Sequence, residues 1–241
     1  MVIKMKSDVV YSIIFKRYKK NELIIASKLY KEEFTLLLSE SSFYKIIERL
    51  KNKGKLTRVS KGIYVIPKEG EFGVIPITEE DIIDDYIENE KGMVIGYRLY
   101  NRLKLTTQIP FYFEIYSSMI TENCKFIQNV TIKYVDLEFT EDVRRMVEYL
   151  EVLENFSFIQ DLNYLQFINF TEKFITNYDD LLLEKVLKKI KYKKATLSFL
   201  NNILNFYNIE NNIMNYLSSF STYKHYKMGE IYEIARGQYD I

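Results

Sequence analysis

The chain has 241 residues, of which 47% are hydrophobic and 28% charged, a composition typical of a folded globular protein with room for two compact units. No run of about 18 apolar residues occurs, and the broken apolar stretch near the start lacks a small-residue cleavage site, so we expect neither a membrane-spanning helix nor a signal peptide. The single cysteine, Cys124, excludes an internal disulfide and a multi-cysteine metal site, which favours a reducing, cytoplasmic location.

The net charge of +1 conceals a strong asymmetry along the chain. Residues 1–68 carry sixteen basic and six acidic side chains, whereas residues 69–157 carry eight basic and eighteen acidic ones. Residues 158–241 are nearly balanced, with ten basic and nine acidic side chains. A basic segment followed by an acidic one indicates a nucleic-acid-binding face at the N-terminal end.

Apolar spacing predicts two helices and a short strand before residue 40. The first helix spans about 7–19, and one of its sides is formed by Val9, Val10, Ile13, Ile14 and Tyr18. Leu23 to Ile25 can supply a short third strand for the hairpin that follows later in the chain. Ser27 is the expected N-cap of a second helix that runs to about Phe34, because a serine hydroxyl can accept a bond from a free N–H of the first turn.

A third helix begins near Glu40 and is amphipathic. Its apolar residues recur at the i, i+3, i+4, i+7 spacing, namely Phe43, Ile46, Ile47 and Leu50. Its start can be capped by any of three serines, Ser39, Ser41 or Ser42. Gly54 suits its end, because glycine readily adopts the left-handed backbone conformation found after a helix.

Two short basic strands follow this helix. They span Lys55–Val59 and Gly62–Ile66, and Pro67 ends the second strand because it cannot donate to a ladder. A helix, a tight link and a basic hairpin are the recognition helix and wing of a winged helix-turn-helix. The sequence therefore predicts a DNA-binding domain over residues 1–68.

The predicted recognition helix and wing carry polar and basic side chains that suit DNA. On the helix, Arg and Lys can reach guanine edges, and Ser or Tyr can reach bases or phosphates; the outward-facing candidates are Ser41, Ser42, Tyr44, Lys45 and Arg49. The link and wing would contact phosphates through Lys53, Lys55, Arg58 and Lys61. Glu48 would repel a phosphate, so it lies off the DNA backbone or accepts a bond from a cytosine amine. The alternative interpretation is a solvated helix face with incidental lysines.

The rest of the chain, residues 69–241, predicts a mixed and mainly helical domain, with the boundary in the polar segment Lys68 to Glu71. An α/β part spans about 76–138. It comprises a helix capped by Thr78, an apolar link from Gly92 to Gly96, a helix from Tyr97 to Leu103, and paired strands at Phe111–Ser117 and Val130–Leu137. A helical part spans about 140–241, with helices at about 140–155, 160–176, 179–192, 194–206, 209–220 and 230–236. The predicted fold class is α+β, mainly helical.

Other candidate sites carry weaker signals. Asp136 and Glu138 could place two carboxylates at a strand end for metal-dependent nucleotidyl transfer, but Ser117-Ser118 lacks the glycine of the companion turn. Arg98 and Arg102, four residues apart, either extend a DNA surface or pair with nearby acidic residues. The loop Thr106–Gln108 is interpreted first as a structural staple. Cys124 and His225 are solitary, and we expect His225 on an exposed tail. No catalytic motif occurs, so we expect no enzyme, cofactor or metal.

The order of these segments resembles the AbiEi-type antitoxins of bacterial abortive-infection systems. The resemblance lies in GKLTRVSKGIYVIP, EFGVIPITEEDII and GMVIGYRLYNRLKLTTQIP, within about residues 40–118. That family has a winged-helix domain that represses its own operon and a C-terminal domain that counters a nucleotidyltransferase toxin. The resemblance thus implies an antitoxin and autorepressor, with double-stranded promoter DNA and a nucleotidyltransferase-type toxin as partners.

Two other functions stay open. A ligand-responsive winged-helix regulator would hold a small molecule in a pocket of residues 69–241. An enzyme tethered to DNA would need an active site, for which the sequence gives no signal.

Overall fold

The computed structural model describes residues 2–218 and 223–237, and it is mainly helical with small sheets. The predicted α+β class, dominated by helices, is confirmed. The chain forms two compact units, which are Met1–Tyr86 with Phe126–Val130 (the first unit) and Ile87–Lys125 with Thr131–Ile241 (the second unit). The division predicted at residues 68 and 69 falls inside the first unit, and as a domain boundary it stays a prediction. Among the described residues, no helix is long and apolar enough to cross a bilayer.

The first unit begins with three helical segments and a short strand. They are α1 (Val2–Arg17), β1 (Ile24–Ile25), α2 (Ala26–Leu29), which continues as a π-helical turn over Tyr30–Phe34, and α3 (Glu40–Asn52). Helix α1 starts and ends earlier than predicted. Val10 and Ile14 are fully buried, as expected, but Val9 is 49% exposed, so its predicted place on the buried side is wrong.

The predicted N-cap at Ser27 is also wrong, because α2 begins at Ala26, directly after β1, so that Ser27 lies inside the helix and Ile25 occupies the N-cap position. The backbone N–H of Ala26 donates to the carbonyl oxygen of Gly62 at 2.9 Å. A partner distant in sequence thus satisfies a donor at the helix start, and no side-chain cap is formed there.

Strands β2 (Thr57–Ser60) and β3 (Ile63–Val65) form the predicted hairpin. The predicted third strand is confirmed, because β1 pairs antiparallel with β3 and the sheet order is β1-β3-β2. The register shifts between Arg58 and Ser60, which is a β-bulge, and Gly62 turns the chain with a φ of 75°. Glycine suits this position, since L side chains rarely adopt a positive φ.

The core of the first unit is built around the apolar face of α3. Phe43 stacks on Phe34 at 5.2 Å between ring centroids and lies 5.4 Å from Tyr30. The four predicted inward positions of α3 are all buried, and they join a cluster that includes Val10, Ile14, Ile24, Leu29, Leu56 and Ile66. The helix is therefore held by one face only.

Beyond Pro67 the chain forms a second hairpin, which includes the polar segment Lys68 to Glu71 where the boundary was predicted. Its strands are β4 (Lys68–Gly70) and β5 (Gly73–Ile75), and both are exposed. Helix α4 (Glu79–Ile87) follows. Its start is capped as expected: the Thr78 hydroxyl accepts from the Asp81 N–H at 3.2 Å, and the Asp81 carboxylate accepts from the Thr78 N–H at 2.8 Å.

A four-stranded sheet with the order β6-β7-β9-β8 follows. Its elements are β6 (Gly92–Ile95), helix α5 (Gly96–Arg102), β7 (Phe113–Ser117), β8 (Cys124–Ile127) and β9 (Val130–Tyr134). The two strands that were predicted to pair are β7 and β9, and their pairing is confirmed because they are neighbours in the sheet. Strand β7 begins at Phe113, two residues later than predicted. The predicted link at Gly92–Gly96 is wrong, because its first four residues pair antiparallel with β7.

The helical part contains α6 (Glu141–Asn155), α7 (Tyr164–Ile175), α8 (Asp180–Leu187), α9 (Lys194–Phe206) and α10 (Met228–Gly237). The helix predicted over 209–220 is wrong for its described part, which contains only a 3-10 turn at Ile213–Tyr216; residues 219 and 220 lie outside the described residues. Asn208 has a φ of 58°, and the side chain of Asn211 accepts from the Ile213 N–H at 3.2 Å. Such local side-chain bonds compete with helix formation.

One carboxyl group is buried in the core of the second unit. Glu151 is 5% exposed, and its Oε1 accepts a hydrogen bond from the Tyr116 hydroxyl at 2.8 Å. Burial raises the pKa of the Glu151 carboxyl above its ordinary value, because the interior disfavours the charged form.

Replacing Phe43 by alanine should lower the free energy of unfolding of the first unit by about 3–5 kcal/mol, because a fully buried ring is lost and a cavity remains. Leu36→Ala is the matched control, since Leu36 is 99% exposed. Urea unfolding followed by circular dichroism measures both. Equal stability of the two variants would contradict the packing of α3.

Glu151→Gln should remove a pH dependence of stability. In the unfolded chain Glu151 loses its proton at its ordinary pKa, whereas the folded chain holds the proton to higher pH, so wild-type stability falls as pH rises through this window. The glutamine keeps an acceptor for Tyr116 and does not titrate. Unfolding in urea across pH 4 to 8 should show that the free energy of unfolding of Glu151→Gln rises relative to that of wild type as the pH rises. Parallel curves for Glu151→Gln and wild type would rule out this role of burial.

Candidate nucleic-acid interface

The start of α3 is fixed by serine hydroxyls. Ser39 is the N-cap, and its Oγ accepts from the Ser42 N–H at 3.4 Å and donates to the Ser42 hydroxyl at 2.8 Å. Ser41 Oγ lies 3.4 Å from Ser39 Oγ. Of the three serines offered as caps, Ser39 has this role, and the exposed Ser41 and Ser42 remain next to the helix N-terminus, where N–H groups favour anions.

The outer face of α3 carries the two cations that the sequence singled out. Lys45 and Arg49 are exposed and lie four residues apart, so their side chains project from the same side of the helix. Glu48 pairs with Lys51 at 2.5 Å, which offsets the negative charge on this face. Tyr44 is half-buried against Phe43. This burial, with a smaller contribution from the charge of Glu40, raises the pKa of the Tyr44 hydroxyl above its ordinary value.

The link from α3 to the hairpin exposes two further lysines. Gly54 has a φ of 68°, its N–H donates to the Lys51 carbonyl, and the N–H of Lys55 donates to the Leu50 carbonyl, both at 2.9 Å. This is the expected glycine-terminated helix end. Lys53 and Lys55 are exposed beside it, and the Lys55 ammonium lies 5.7 Å from the ring centre of Tyr11 on α1.

The hairpin adds two exposed cations. Lys61 lies at its turn, and the Arg58 Nε donates to the Ser60 carbonyl at 3.3 Å, which folds the arginine over the bulge. In the part of the chain that the structure describes, no carboxylate pairs with Lys45, Arg49, Lys53 or Lys61. Charges without counter-charges attract anions most strongly, so this surface suits a polyanion.

The structure accounts for the weaker candidates in other ways. Asp136 is exposed and pairs with Lys189 at 2.6 Å. Among the described residues, no group of three or more potential ligands could hold a metal ion. Cys124 is exposed, and His225 is half-buried with its ring stacked 5.6 Å from Phe199, although we expected it on an exposed tail.

The two arginines of α5 have structural contacts. Arg102 pairs with Glu148 at 2.5 Å, which agrees with the interpretation of a local ion pair. The Arg98 guanidinium lies 5.4 Å from the ring centre of Phe113.

The loop at Thr106–Gln108 is the structural staple that the sequence indicated. The Thr106 hydroxyl donates to the Gln160 carbonyl at 2.7 Å, and the Gln108 amide donates to the Asp161 carboxylate. Asn101 closes the loop from α5 by donating to the Gln108 carbonyl at 2.5 Å. These bonds tie the loop to the turn before α7.

The loop Thr106–Gln108 is followed by an exposed apolar surface that the sequence analysis did not predict. Ile109 is 92% exposed, Phe111 71% and Tyr112 66%, and the two rings pack edge to face at 4.8 Å. Phe158 is 72% exposed, and its carbonyl accepts from the Tyr97 hydroxyl at 3.0 Å. We call Ile109, Phe111 and Tyr112 the aromatic loop surface. The apolar residues around Pro110 are a signal for this surface, but their alternation predicts a strand from Phe111, whereas β7 begins at Phe113.

Residues 14–148 match the model of a family described as a family of unknown function (DUF6088). Because the match covers more than half of the chain, the chain belongs to this family. The matched region holds α3, the β2–β3 hairpin and the aromatic residues around Pro110, and it ends within α6. No curated protein matches the chain.

Proposed function

We propose that this protein is an antitoxin of the AbiEi kind that also binds its own promoter through a winged helix and represses transcription. The observation that carries the proposal is the outer face of α3 beside a basic hairpin. Lys45 and Arg49 are exposed there, and no carboxylate of residues 2–218 or 223–237 pairs with either of them. The sequence resemblance supports the same assignment.

In the proposed complex α3 enters the major groove as the recognition helix. Lys45 and Arg49 contact base edges, while Ser41 and Ser42 at the helix start contact a phosphate. The hairpin is the wing, and its lysines lie on the adjacent DNA backbone. Arg58 exchanges its bond to the neutral Ser60 carbonyl for a charged phosphate oxygen, which is the stronger acceptor.

One small module buries limited surface on DNA and therefore binds modestly. Two copies on repeated or inverted sites near the promoter would bind more tightly, because the second copy adds its own contacts. Repression then follows from occupancy of the promoter.

The aromatic loop surface supports the proposal that this protein contacts a toxin. Exposed apolar patches commonly mark sites of protein contact, and aromatic residues supply much of the energy at such contacts. The staple at Thr106 and Gln108 holds this surface in place before binding, so little ordering is needed when a partner docks. The partner would be a nucleotidyltransferase-type toxin.

Replacing Lys45 and Arg49 together by alanine should raise the Kd for promoter DNA at least about 30-fold, since each lost base contact costs about 1–3 kcal/mol. Both side chains are exposed, so folding should be unaffected. The matched control is the double variant Lys16→Ala, Lys28→Ala, which removes the same charge from the first unit outside α3 and the hairpin. Fluorescence anisotropy measures all three proteins, and equal losses in both variants would contradict a specific role of α3.

Replacing Phe111 and Tyr112 together by alanine should abolish rescue of cells that express the proposed nucleotidyltransferase-type toxin, and should abolish co-purification of that toxin. Promoter binding should stay unchanged. The control variant Leu181→Ala, Met214→Ala removes two other exposed apolar side chains, 75% and 60% exposed, and should keep both activities. Retained rescue and retained co-purification in the first variant would refute the docking role.

A further inference from the structure

The second unit contains an open cavity that the proposed function does not use. Its volume is about 420 Å³, and it lies between the end of α5, helix α6 and helix α7. Pockets for small molecules typically measure about 300–1,000 Å³, so a molecule of moderate size fits. Four cations line it, namely Arg102, Lys104, Arg145 and Lys173.

The charge of this cavity is not a consequence of local composition. Residues 69–157 are strongly acidic, yet three of their eight basic side chains line this one cavity, and no acidic side chain does. Glu148 and Asp142, which lie outside the lining, pair with Arg102 and Arg145.

Lys104 and Lys173 keep uncompensated charges at the cavity. Within the described residues neither has a carboxylate partner, and both side chains are exposed. Lys104 also has a φ of 59°, a backbone conformation that is unfavourable for residues other than glycine. Two unpaired ammonium groups at one concave surface form a site for an anion.

The remaining wall has polar and apolar parts. The amides of Gln166 and Asn169 can donate hydrogen bonds, while Leu103 and the half-buried Phe170 supply apolar surface. Ammonium and amide donors hold phosphate oxygens, and an aromatic side chain offers a face to a flat ring. We infer that this cavity binds a small phosphorylated molecule with a ring, of the nucleotide class, and that Lys104 and Lys173 hold its phosphate.

The adjoining cleft favours a compact ligand over a nucleic-acid strand. It shares Arg145 and Lys173 with the cavity but is also lined by Asp142 and Asp179. A strand that continued past the cavity would bring its phosphates towards these two carboxylates. A single nucleotide avoids this repulsion.

The test is isothermal titration of the full chain with AMP, adenosine and inorganic phosphate. AMP should bind saturably at one site per chain and more tightly than either of its parts. Lys104→Ala and Lys173→Ala should each weaken AMP binding about tenfold, as expected for a charge-assisted hydrogen bond. Lys104→Arg and Lys173→Arg should retain most of the affinity. The control Lys185→Ala, which removes an exposed lysine of α8 outside the cavity, should bind as wild type does.

Several results would overturn the inference. These are no binding of AMP at millimolar concentration, the same affinity in the lysine-to-alanine variants as in wild type, or an equal loss in Lys185→Ala. Tighter binding of a single-stranded oligonucleotide that displaces AMP would also overturn it. Circular dichroism of each variant confirms folding, and the outcome is independent of promoter binding because the cavity lies wholly in the second unit.

Discussion

Helix α3 is held by burial of a single face, and this constraint determines which side chains the first unit offers to a partner. Phe43 and Ile47 are fully buried, and Phe43 contacts aromatic rings from the preceding helical turn. Burying one such side chain stabilises the fold by about 1.5–3 kcal/mol. A rotation of α3 that exposed several of these side chains to water would therefore cost more free energy than a new surface ion pair could supply. Lys45 and Arg49 are therefore directed outward by the core and need no partner of their own.

In the second unit, hydrogen bonds position an apolar surface. The side chains of Thr106 and Gln108 bond to the turn at Gln160 and Asp161 and so fix the segment that carries Phe111 and Tyr112. In the first unit, apolar packing directs charged side chains towards the solvent. In the second unit, polar hydrogen bonds hold exposed aromatic rings in place. The two surfaces suit partners of different chemistry, namely a polyanion and a protein.

The sequence predicted the elements whose signals are local. The period of α3, its serine cap and Gly54 are all encoded within a few residues, and so are the strands on either side of Gly62. Prediction failed where contacts with residues distant in sequence determine the local structure. Ser27 is not a cap because Gly62 takes the N–H of Ala26, and the short apolar run at β6 is a strand only because β7 lies beside it. The outward direction of Lys45 was predictable, whereas the aromatic loop surface depends on bonds to residues more than fifty positions away.

The central claim is that α3 and the β2–β3 hairpin bind DNA, and the most direct measurement is the affinity of the full chain for its own upstream DNA over a salt series. Four cations of the link and the hairpin, Lys53, Lys55, Arg58 and Lys61, contact phosphates in the proposed complex. The logarithm of the binding constant should therefore fall with the logarithm of the salt concentration with a slope of roughly −3 to −4. Unrelated DNA should bind much more weakly at every salt concentration. Salt-independent binding, equal affinity for both DNAs, or no binding at low salt would contradict the claim.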